Sequence, residues 1–353
     1  MRFSGLFPEN FIVNNPQYAG VSYLTNLDHN NYHSLQVEAT YRPIQGVSLQ
    51  GTYTFSKNLG LAIPFSQNGA NNAFTNPVDR HGDYTIVNNN RPQTIRTNGT
   101  FELPFGPNKL LFGNTTGAVA RIIERWQLGL IYNYNTGGYS SLAAQSMLYG
   151  NGTPDVVSTP FTDAALKQLS DGGVTWDTRI PTGYEGRYFG DSFATVPDPQ
   201  CSTVTALQNL NGGATRRCTL NALAYIVPTG TPGAITITDS INVDNPASPG
   251  NTIPQTRVRS GVVVLQHPQP GQRGTLGQNT IRNLGNYTLD ANIGKNFRIS
   301  ESKSFQIRID TSNVLNHPTP GAPNLNMNSN SPFGQITTKT GNRAFQGQLR
   351  LTF

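Results

Sequence analysis

Apolar and polar residues alternate at every second position in several segments of this chain. In residues 32–43, Leu35 and Val37 share one face with other apolar residues, and the polar residues between them share the opposite face. This alternation is typical of an extended strand, in which successive side chains point to opposite sides. A short turn at 43–46 is followed by the same pattern in 47–56. The two segments therefore predict a β-hairpin with one apolar and one polar face.

The same alternation recurs along the rest of the chain. The further segments are 93–104, 125–136, 286–298, 303–316 and 343–353, with a weaker candidate near 5–14. About eight strands of roughly ten residues result, and this is the length that a tilted strand needs to cross a lipid bilayer. The pattern predicts an all-β chain whose antiparallel strands belong to a transmembrane β-barrel.

The connections between these segments differ in length. The short or medium connections are 43–46, 105–124 and 299–302, and the long ones are 58–92, 137–285 and 317–342. Because each strand reverses direction, all the long connections fall at one end of the sheet. Outer-membrane barrels have this asymmetry, with short periplasmic turns and long outer loops. A soluble β-sandwich also has alternating strands, and it remains the alternative fold.

The composition favours a barrel with a wet interior. Charged residues make up 12% of the 353 residues, about half the usual share for a soluble domain. The net charge of +6 comes from scattered residues, so the continuous basic patch that nucleic-acid binding needs is missing. No segment has the ~18 uninterrupted apolar residues of a membrane helix. The first residues also lack the pattern of a secretory signal, and we expect any exporting segment to lie upstream.

The connection 137–285 is long enough to hold structure of its own, and connections of this size are commonly functional. We interpret it as a large extracellular insertion in a partial barrel that spans residues 1–353. Within it, residues 161–169 are typical of a short helix, and residues 228–257 are typical of exposed strand or loop.

Few residues of the chain have the pattern of a chemical site. Both cysteines, Cys201 and Cys218, lie in the connection 137–285. Export to an oxidising compartment would favour a disulfide between them, and two unpaired buried thiols are the alternative. The five histidines do not have metal-ligand spacing, and the sequence contains no nucleophile elbow, phosphate-binding loop or zinc-ligand cluster. We therefore expect neither an enzyme active site nor a cofactor.

Charged residues on the polar strand faces are expected to point into the barrel lumen. An Arg or Lys that faces lipid at mid-bilayer costs ~2–4 kcal/mol, so the opposite face is the favourable one. The lumen-facing charges are Glu38, Arg96, Glu102, Asp290, Arg308, Asp310 and Arg350. A structural ion-pair network along the wall and a substrate site are the two interpretations of this set.

The last predicted strand ends on an aromatic residue. Phe353 is preceded at alternate positions by Leu351, Leu349, Gly347 and Phe345. A terminal aromatic residue after an alternating strand is the feature that the barrel-assembly machinery recognises in outer-membrane proteins. We therefore predict that these five residues form an assembly signal.

Several stretches of the chain carry a recognisable set of motifs. They are NYHSLQVEATYRPIQGVSLQGTYTFSKNLG (31–60), NRPQTIRTNGTFELPFGPNK (90–109), WQLGLIYNYNTGGYSS (126–141), RIDTSNVLNHPTPGAPN (308–324) and NRAFQGQLRLTF (342–353). Together they resemble the C-terminal barrel of TonB-dependent receptors of the Oar-like group, over most of the chain. In the long connection, VPDPQC (196–201) and CTLNALA (218–224) fit a subgroup of that family.

The resemblance implies an outer-membrane barrel of about 22 strands that is plugged by an N-terminal domain. It also implies uptake or export that is powered through TonB. This chain would supply about a third of those strands, and the plug and the TonB-contacting segment have no counterpart in it. We therefore expect coupling to TonB only through a missing N-terminal part.

Three functions follow from these observations. The first is the C-terminal barrel portion of a TonB-dependent receptor or transporter in the outer membrane of a Gram-negative bacterium, with an extracellular ligand. The second is a complete eight-stranded barrel that acts as an adhesin or structural protein. The third is a soluble secreted β-sandwich that binds carbohydrate. For the membrane barrel, the expected partners are outer-membrane lipid and the barrel-assembly machinery, and nucleic acid is not expected.

Overall fold

The computed structural model of the protein describes residues 29–61, 81–144, 152–158, 175–177, 185–204, 218–248, 251–269, 272, 274–299, 303–329 and 331–353. Its strands, in chain order, are β1 (Asn30–Tyr41), β2 (Val47–Leu61), β3 (Tyr84–Ile86), β4 (Gln93–Glu102), β5 (Trp126–Asn135), β6 (Tyr139–Ser140), β7 (Asp155–Val156), β8 (Thr175–Asp177), β9 (Glu185–Arg187), β10 (Phe193–Pro197), β11 (Asn221–Val227), β12 (Ile235–Asp244), β13 (Thr252–Gln266), β14 (Ile281–Arg282), β15 (Asn286–Arg298), β16 (Ser304–Ser312), β17 (Thr319–Pro320), β18 (Gln335–Ile336), β19 (Lys339–Thr340) and β20 (Ala344–Thr352). The helices of these residues are α1 (Gly117–Ile123) and the 3-10 helices His81–Asp83 and Pro199–Ser202. The predicted strand near 5–14 and the predicted helix at 161–169 lie outside the described residues.

Seven long strands form one antiparallel sheet in the order β1-β2-β4-β5-β15-β16-β20, and the short β3 pairs with the end of β2. Each of these seven strands therefore pairs with the one of the seven that follows it along the chain. The connections at one end are 42–46, 103–125 and 299–303, and those at the other end are 62–92, 136–285 and 313–343. We call these ends the short-connection end and the long-connection end. The sided arrangement that the sequence predicts is present.

The boundaries of these strands follow the predicted ones within a few residues, with two differences. β2 continues past the predicted residue 56 to Leu61, because it pairs with β1 as far as Gly60 and with β3 over its last three residues. β16 stops at Ser312 instead of reaching residue 316. The reason is the left-handed backbone of Asn313, whose φ of 46° cannot continue an extended strand.

The register carries the two faces of the first hairpin across the whole sheet. One apolar row runs over successive strands from Val37 through Tyr53, Ile95, Tyr134 and Tyr287. Cross-strand pairs of aromatic and β-branched side chains each stabilise a sheet by roughly 0.2–1 kcal/mol. Every residue of β1 and β20 is exposed, so the described residues place no second layer over the apolar face at these two strands.

The main cluster of buried apolar side chains lies outside the seven-stranded sheet. It consists of Leu142, Tyr188, Phe189, Phe193, Leu223, Val264, Leu265, Leu276, Ile281, Met327, Phe333 and Ile336. These residues come from the two connections 136–285 and 313–343 at the long-connection end. We call β6–β14 together with β17–β19 the loop module. Its core is therefore shared by two connections that are distant in the sequence.

Small sheets build the loop module. The largest has the order β10-β11-β13-β12 with β7 paired to β13, and the others are β18-β9-β8, β14-β6 and β17-β19. The hairpin of β12 and β13 covers most of the region 228–257, which the sequence predicts to be exposed strand or loop. The ring of Phe189 stacks on that of Phe333 with centroids 5.4 Å apart. This contact joins the two connections in one core.

Candidate functional site: the polar wall and the loop module

The polar face of the seven-stranded sheet carries the charged residues that the sequence singles out. Thr52 is in register with Glu38 on one side and with Arg96 on the other. At the opposite edge, Arg350 is in register with Gln306. All seven predicted charges lie on this face: Glu38, Arg96, Glu102, Asp290, Arg308, Asp310 and Arg350. We call this face the polar wall.

The contacts along the polar wall are local. Arg308 Nε donates to the two carboxylate oxygens of Asp310 at 2.8 and 3.1 Å, which joins two of the seven predicted charges. Glu38 instead accepts a hydrogen bond from the side-chain amide of Gln50 at 2.6 Å. Ion pairs as exposed as that of Arg308 and Asp310 contribute at most about 1 kcal/mol. The polar wall is therefore a hydrated surface on which neighbouring side chains interact in pairs.

A groove of about 590 Å³ opens on the polar wall near the short-connection end. The charged side chains in its lining include Glu102, Arg125, Arg298, Lys303 and Arg308. Four of these five groups are cationic, so the potential in the groove attracts anions. Such a surface suits the reversible binding of charged groups.

Residues 313–318, the NVLNHP part of the quoted motifs, form a corner where β16 ends. The backbone N–H of Asn313 donates to Asp290 Oδ1 at 2.8 Å, and the Asn313 side chain accepts from the N–H of His317 at 3.0 Å. The ring of His317 stacks on Tyr287 with centroids 4.0 Å apart. Asn tolerates the left-handed conformation that the corner requires. Asp290, predicted as a lumen-facing charge, therefore also holds this corner, a role that the sequence analysis missed.

A buried polar cluster holds the segment 196–201 inside the loop module. Asp198 accepts hydrogen bonds from the N–H of Gln200 at 2.9 Å and from the N–H of His267 at 3.0 Å. The side-chain amide of Gln200 donates to the carbonyl of His267 at 2.8 Å. Sequence reasoning missed His267 because it lies 67 residues from Gln200 and makes these bonds through its backbone.

A disulfide joins Cys201 and Cys218, whose Cα atoms are 5.2 Å apart. It links the 3-10 helix Pro199–Ser202 to the residues that lead into β11. Closing a loop of 17 residues stabilises a fold by about 3 kcal/mol in the chain-entropy model. The bridge therefore reinforces the segment that the buried polar cluster holds, and its formation in the exported protein stays a prediction.

Two arginines of β13 bind two carboxylates near the middle of the β12–β13 hairpin. Arg257 lies 2.7 Å from an Asp191 oxygen and 2.8 Å from an Asp239 oxygen, and Arg259 also contacts Asp239. Hydrogen bonding from Arg257 lowers the pKa of Asp191. Burial acts in the opposite direction at Asp239, but hydrogen bonds from Arg257 and Arg259 still lower its pKa. Ionised carboxylates therefore tie the hairpin to the segment before β10.

Hydrogen bonds fasten the loop module to the rim of the sheet. The side-chain amide of Asn279 donates to the carbonyl of Ile86 at 2.7 Å, next to the end of β2. The side-chain amide of Gln278 donates to the buried carboxylate of Asp83 at 3.2 Å. The module is thus attached at the long-connection end of the sheet.

Two features are absent from the described part of the chain. None of its helices is long and apolar enough to cross a membrane. Within the same ranges, His, Cys, Asp and Glu side chains do not gather in groups of three that could hold a metal ion.

The predicted assembly signal lies on β20, at one edge of the sheet. Phe345, Gly347, Leu349 and Leu351 are in register with alternate residues of β16 on the apolar face. The side chain of Phe353 is 90% exposed. Exposed apolar residues on an edge strand are accessible to another protein, and recognition by the assembly machinery stays a prediction.

A family model described as outer membrane beta barrel domain matches residues 6–348. The chain belongs to this family. The all-β, antiparallel barrel fold that the sequence predicts is confirmed, and membership indicates a location in the outer membrane. No curated protein and no solved structure matches the chain.

Membership in the barrel family accounts for the exposed apolar face. A soluble β-sandwich would cover that face with a second sheet about 10 Å away. In this protein Leu35 is 61% exposed and Leu349 is 71% exposed. An outer-membrane barrel has its apolar face outward, so this exposure favours the barrel over the soluble sandwich.

Proposed function

We propose that this chain is the C-terminal barrel portion of a TonB-dependent receptor or transporter in the outer membrane of a Gram-negative bacterium. Its apolar face contacts lipid, its polar wall lines the lumen, and its loop module meets the extracellular ligand. The observation that carries the proposal is the polar wall, a face seven strands wide that is rich in charged and amide side chains. A transport barrel needs such a hydrated surface, because solutes and plug segments lie against it.

The edges of the sheet support a barrel wider than the described strands. β1 and β20 stand at the two edges, and each pairs with one neighbour among the described strands. The outer backbone groups of these two strands can pair with further strands, which a barrel of about 22 strands would supply. The motifs that resemble the receptor family also coincide with structural units, since 342–353 covers β20 and 308–324 covers the corner after β16.

Each part of the molecule then has a partner of its own. Outer-membrane lipid surrounds the apolar face, and the barrel-assembly machinery recognises the end of β20. TonB acts through an N-terminal part that also supplies the plug. The ligand first meets the loop module, so the role is binding and passage rather than catalysis.

A complete small barrel that acts as an adhesin or structural protein is the second candidate. The loop module favours it, because a folded unit with its own core and a disulfide offers a rigid surface for adhesion. The two candidates differ in the size of the protein. The adhesin needs only this chain of 38.3 kDa, whereas the receptor needs a plug and further strands.

An antibody against the loop module separates the two candidates. Outer membranes of the producing organism are isolated, and the antigen is detected after denaturing electrophoresis. The receptor predicts a band well above 38.3 kDa and binding of the detergent-extracted protein to the periplasmic domain of TonB. A band at 38.3 kDa whose migration changes on heating, as for a closed small barrel, would replace the receptor by the adhesin. Absence of the antigen from outer membranes would contradict both candidates.

A further inference from the structure

The connection 103–125 at the short-connection end is folded, yet it exposes apolar side chains. The N–H of Leu111 donates to the carbonyl of Pro104 at 2.9 Å, and the N–H of Gly106 donates to the carbonyl of Leu111 at 3.0 Å. The exposed apolar residues are Leu110, Leu111, Phe112, Val119 and Ile122. Exposure of such side chains to water is unfavourable, so a fixed apolar patch of this type marks an interaction surface.

Lys295 of β15 fastens α1 to the apolar face of the sheet. Its ammonium group donates to the carbonyls of Ile122 and Glu124, both at 2.6 Å, at the C-terminal end of α1. The helix dipole favours a cation at this end. Trp126 Nε1 also donates to the carbonyl of Ile122, at 3.1 Å. Lys295 and Trp126 are in register on the apolar face, so the end of α1 lies over that face.

The surroundings of Lys295 place α1 where the apolar face ends. The lysine is 2% exposed, and its ammonium lies 5.5 Å from the ring centre of Trp126 and 4.7 Å from that of Phe297. Phe297 in turn pairs with Phe305 on β16. Aromatic residues form such girdles at the membrane–water interface of outer-membrane barrels. The end of α1 therefore lies beside aromatic residues of the kind that form these girdles.

The connection 103–125 also carries positive charge, which lipid phosphates attract. Lys109, Arg121 and Arg125 against Glu124 give it a net charge of 3 − 1 = +2. Lys109 lies 3.4 Å from Glu102 and Arg125 lines the groove of the polar wall, so Arg121 is the cation that α1 offers to lipid phosphates. Arg121 is exposed on α1, directly before Ile122. Segments that combine an apolar side with Lys or Arg lie in the membrane interface. A cation near an anionic lipid surface strengthens such binding.

We infer that the connection 103–125 is an interfacial anchor that binds the phospholipid leaflet at the short-connection end. Val119 and Ile122 of α1 enter the boundary between headgroups and acyl chains, and Arg121 pairs with lipid phosphates. The anchor fixes the depth of the barrel wall in the membrane through Lys295. The inference rests on the outer-membrane barrel fold and is independent of the proposed receptor function.

Quenching by brominated lipids tests the anchor. The full protein is reconstituted into vesicles of phosphatidylcholine with phosphatidylglycerol, in which the acyl chains carry bromine. Both native cysteines are disulfide-bonded, so one introduced cysteine takes an environment-sensitive fluorophore. Val119→Cys and Ile122→Cys report on the anchor, and Leu130→Cys on the apolar face of β5 reports on insertion. Val258→Cys on β13 is the matched control, because it is 68% exposed but belongs to the loop module.

Strong quenching at positions 119, 122 and 130, with none at 258, is the expected result. Adding Arg121→Gln should weaken quenching at 119 and 122, most in vesicles rich in phosphatidylglycerol, and leave position 130 unchanged. Quenching at 130 alone overturns the anchor and leaves the barrel in place. If the fluorophores at 119 and 122 are shielded from water but are not quenched by the brominated lipid, a second copy of the protein covers the patch. This result would also overturn the anchor. Absence of quenching at every position would contradict membrane insertion itself and the anchor with it.

Discussion

Leu130 and Ile131 are neighbours on β5, but they belong to opposite faces of the sheet. Leu130 is in register with Gly99 and Ala291 on the apolar face, whereas Ile131 is in register with Asp290 on the polar wall. Because side chains of a strand alternate, one step along the chain changes the environment from lipid to lumen. Substitutions at these two positions therefore test which face of the sheet contacts lipid and which faces the lumen.

We expect Leu130→Arg to lower the free energy of unfolding of the membrane-inserted barrel by about 2–4 kcal/mol, since the new cation would face lipid far from the interface. Ile131→Arg should cost much less, because its guanidinium can lie beside Asp290 on the hydrated wall. Denaturant unfolding in lipid vesicles measures both variants. Equal losses for the two variants would contradict the assignment of the faces.

The alternation predicted the face of most strand residues, but it did not predict the role of Lys295. This lysine falls on the apolar face of β15, where it interrupts the row of apolar residues that Tyr287 and Leu289 begin. Its two carbonyl partners are 171 and 173 residues away in the sequence. A pattern within one strand cannot reveal partners that are so distant in the sequence. The sequence therefore showed Lys295 only as a charged residue at a position where the alternation predicts an apolar one.

The long strands were predictable as elements, whereas the loop module was not. Each wall strand pairs with the next wall strand along the chain, and about ten residues of alternation are enough to define both faces. In the loop module several strands are only two or three residues long, too short to carry a period. Its contacts also join distant segments, since the N–H of Asn221 donates to the side chain of Asn328, 107 residues away. Its sheet order therefore had no local signal.

The ion cluster of the β12–β13 hairpin should make the loop module sensitive to acid. Arg257 keeps the pKa of Asp191 and Asp239 below the ordinary carboxyl value. A carboxylate with a lowered pKa in the folded state stabilises the fold at every pH above its unfolded pKa, about 3.9 for Asp. This stabilisation is lost as the pH falls through the folded pKa. We expect Arg257→Met to remove on the order of 1 kcal/mol at neutral pH, because both carboxylates are partly solvated.

Hydrogen exchange of the β12 and β13 amides measures this effect at each pH. Protection in the native protein should fall more steeply below about pH 4 than in Arg257→Met, which has already lost the pairs. Arg257→Lys is the matched variant, because it keeps the charge but loses the fork that binds two carboxylates. It should give an intermediate result. An identical pH dependence in all three proteins would show that the cluster does not stabilise the hairpin.

The wall and the loop module obtain their stability from different sources. The wall presents an exposed apolar face, so it depends on lipid for the burial that a soluble domain obtains from its core. The loop module buries its own core of twelve residues and carries the disulfide, so it keeps a fixed shape outside the membrane. Hydrogen bonds to Asp83 and Ile86 attach the loop module to the rim of the wall. A fold of this kind must reach the membrane before its wall becomes stable. Substitutions in the predicted assembly signal therefore test how the protein is delivered to the membrane.

Phe353 is expected to act in delivery rather than in stability. Its side chain is 90% exposed, so its removal deprives the folded chain of little buried area. We expect Phe353→Ser to lower the amount of protein that reaches the outer membrane several-fold in cells, while refolding of the purified chain into detergent micelles stays unchanged. Thr352→Ala is the matched control, because residue 352 lies on the polar wall next to the predicted signal. Membrane fractionation measures the first effect and protease resistance after refolding the second. A loss of refolding equal to the loss in cells would assign Phe353 to the stability of β20 instead of to recognition by the assembly machinery.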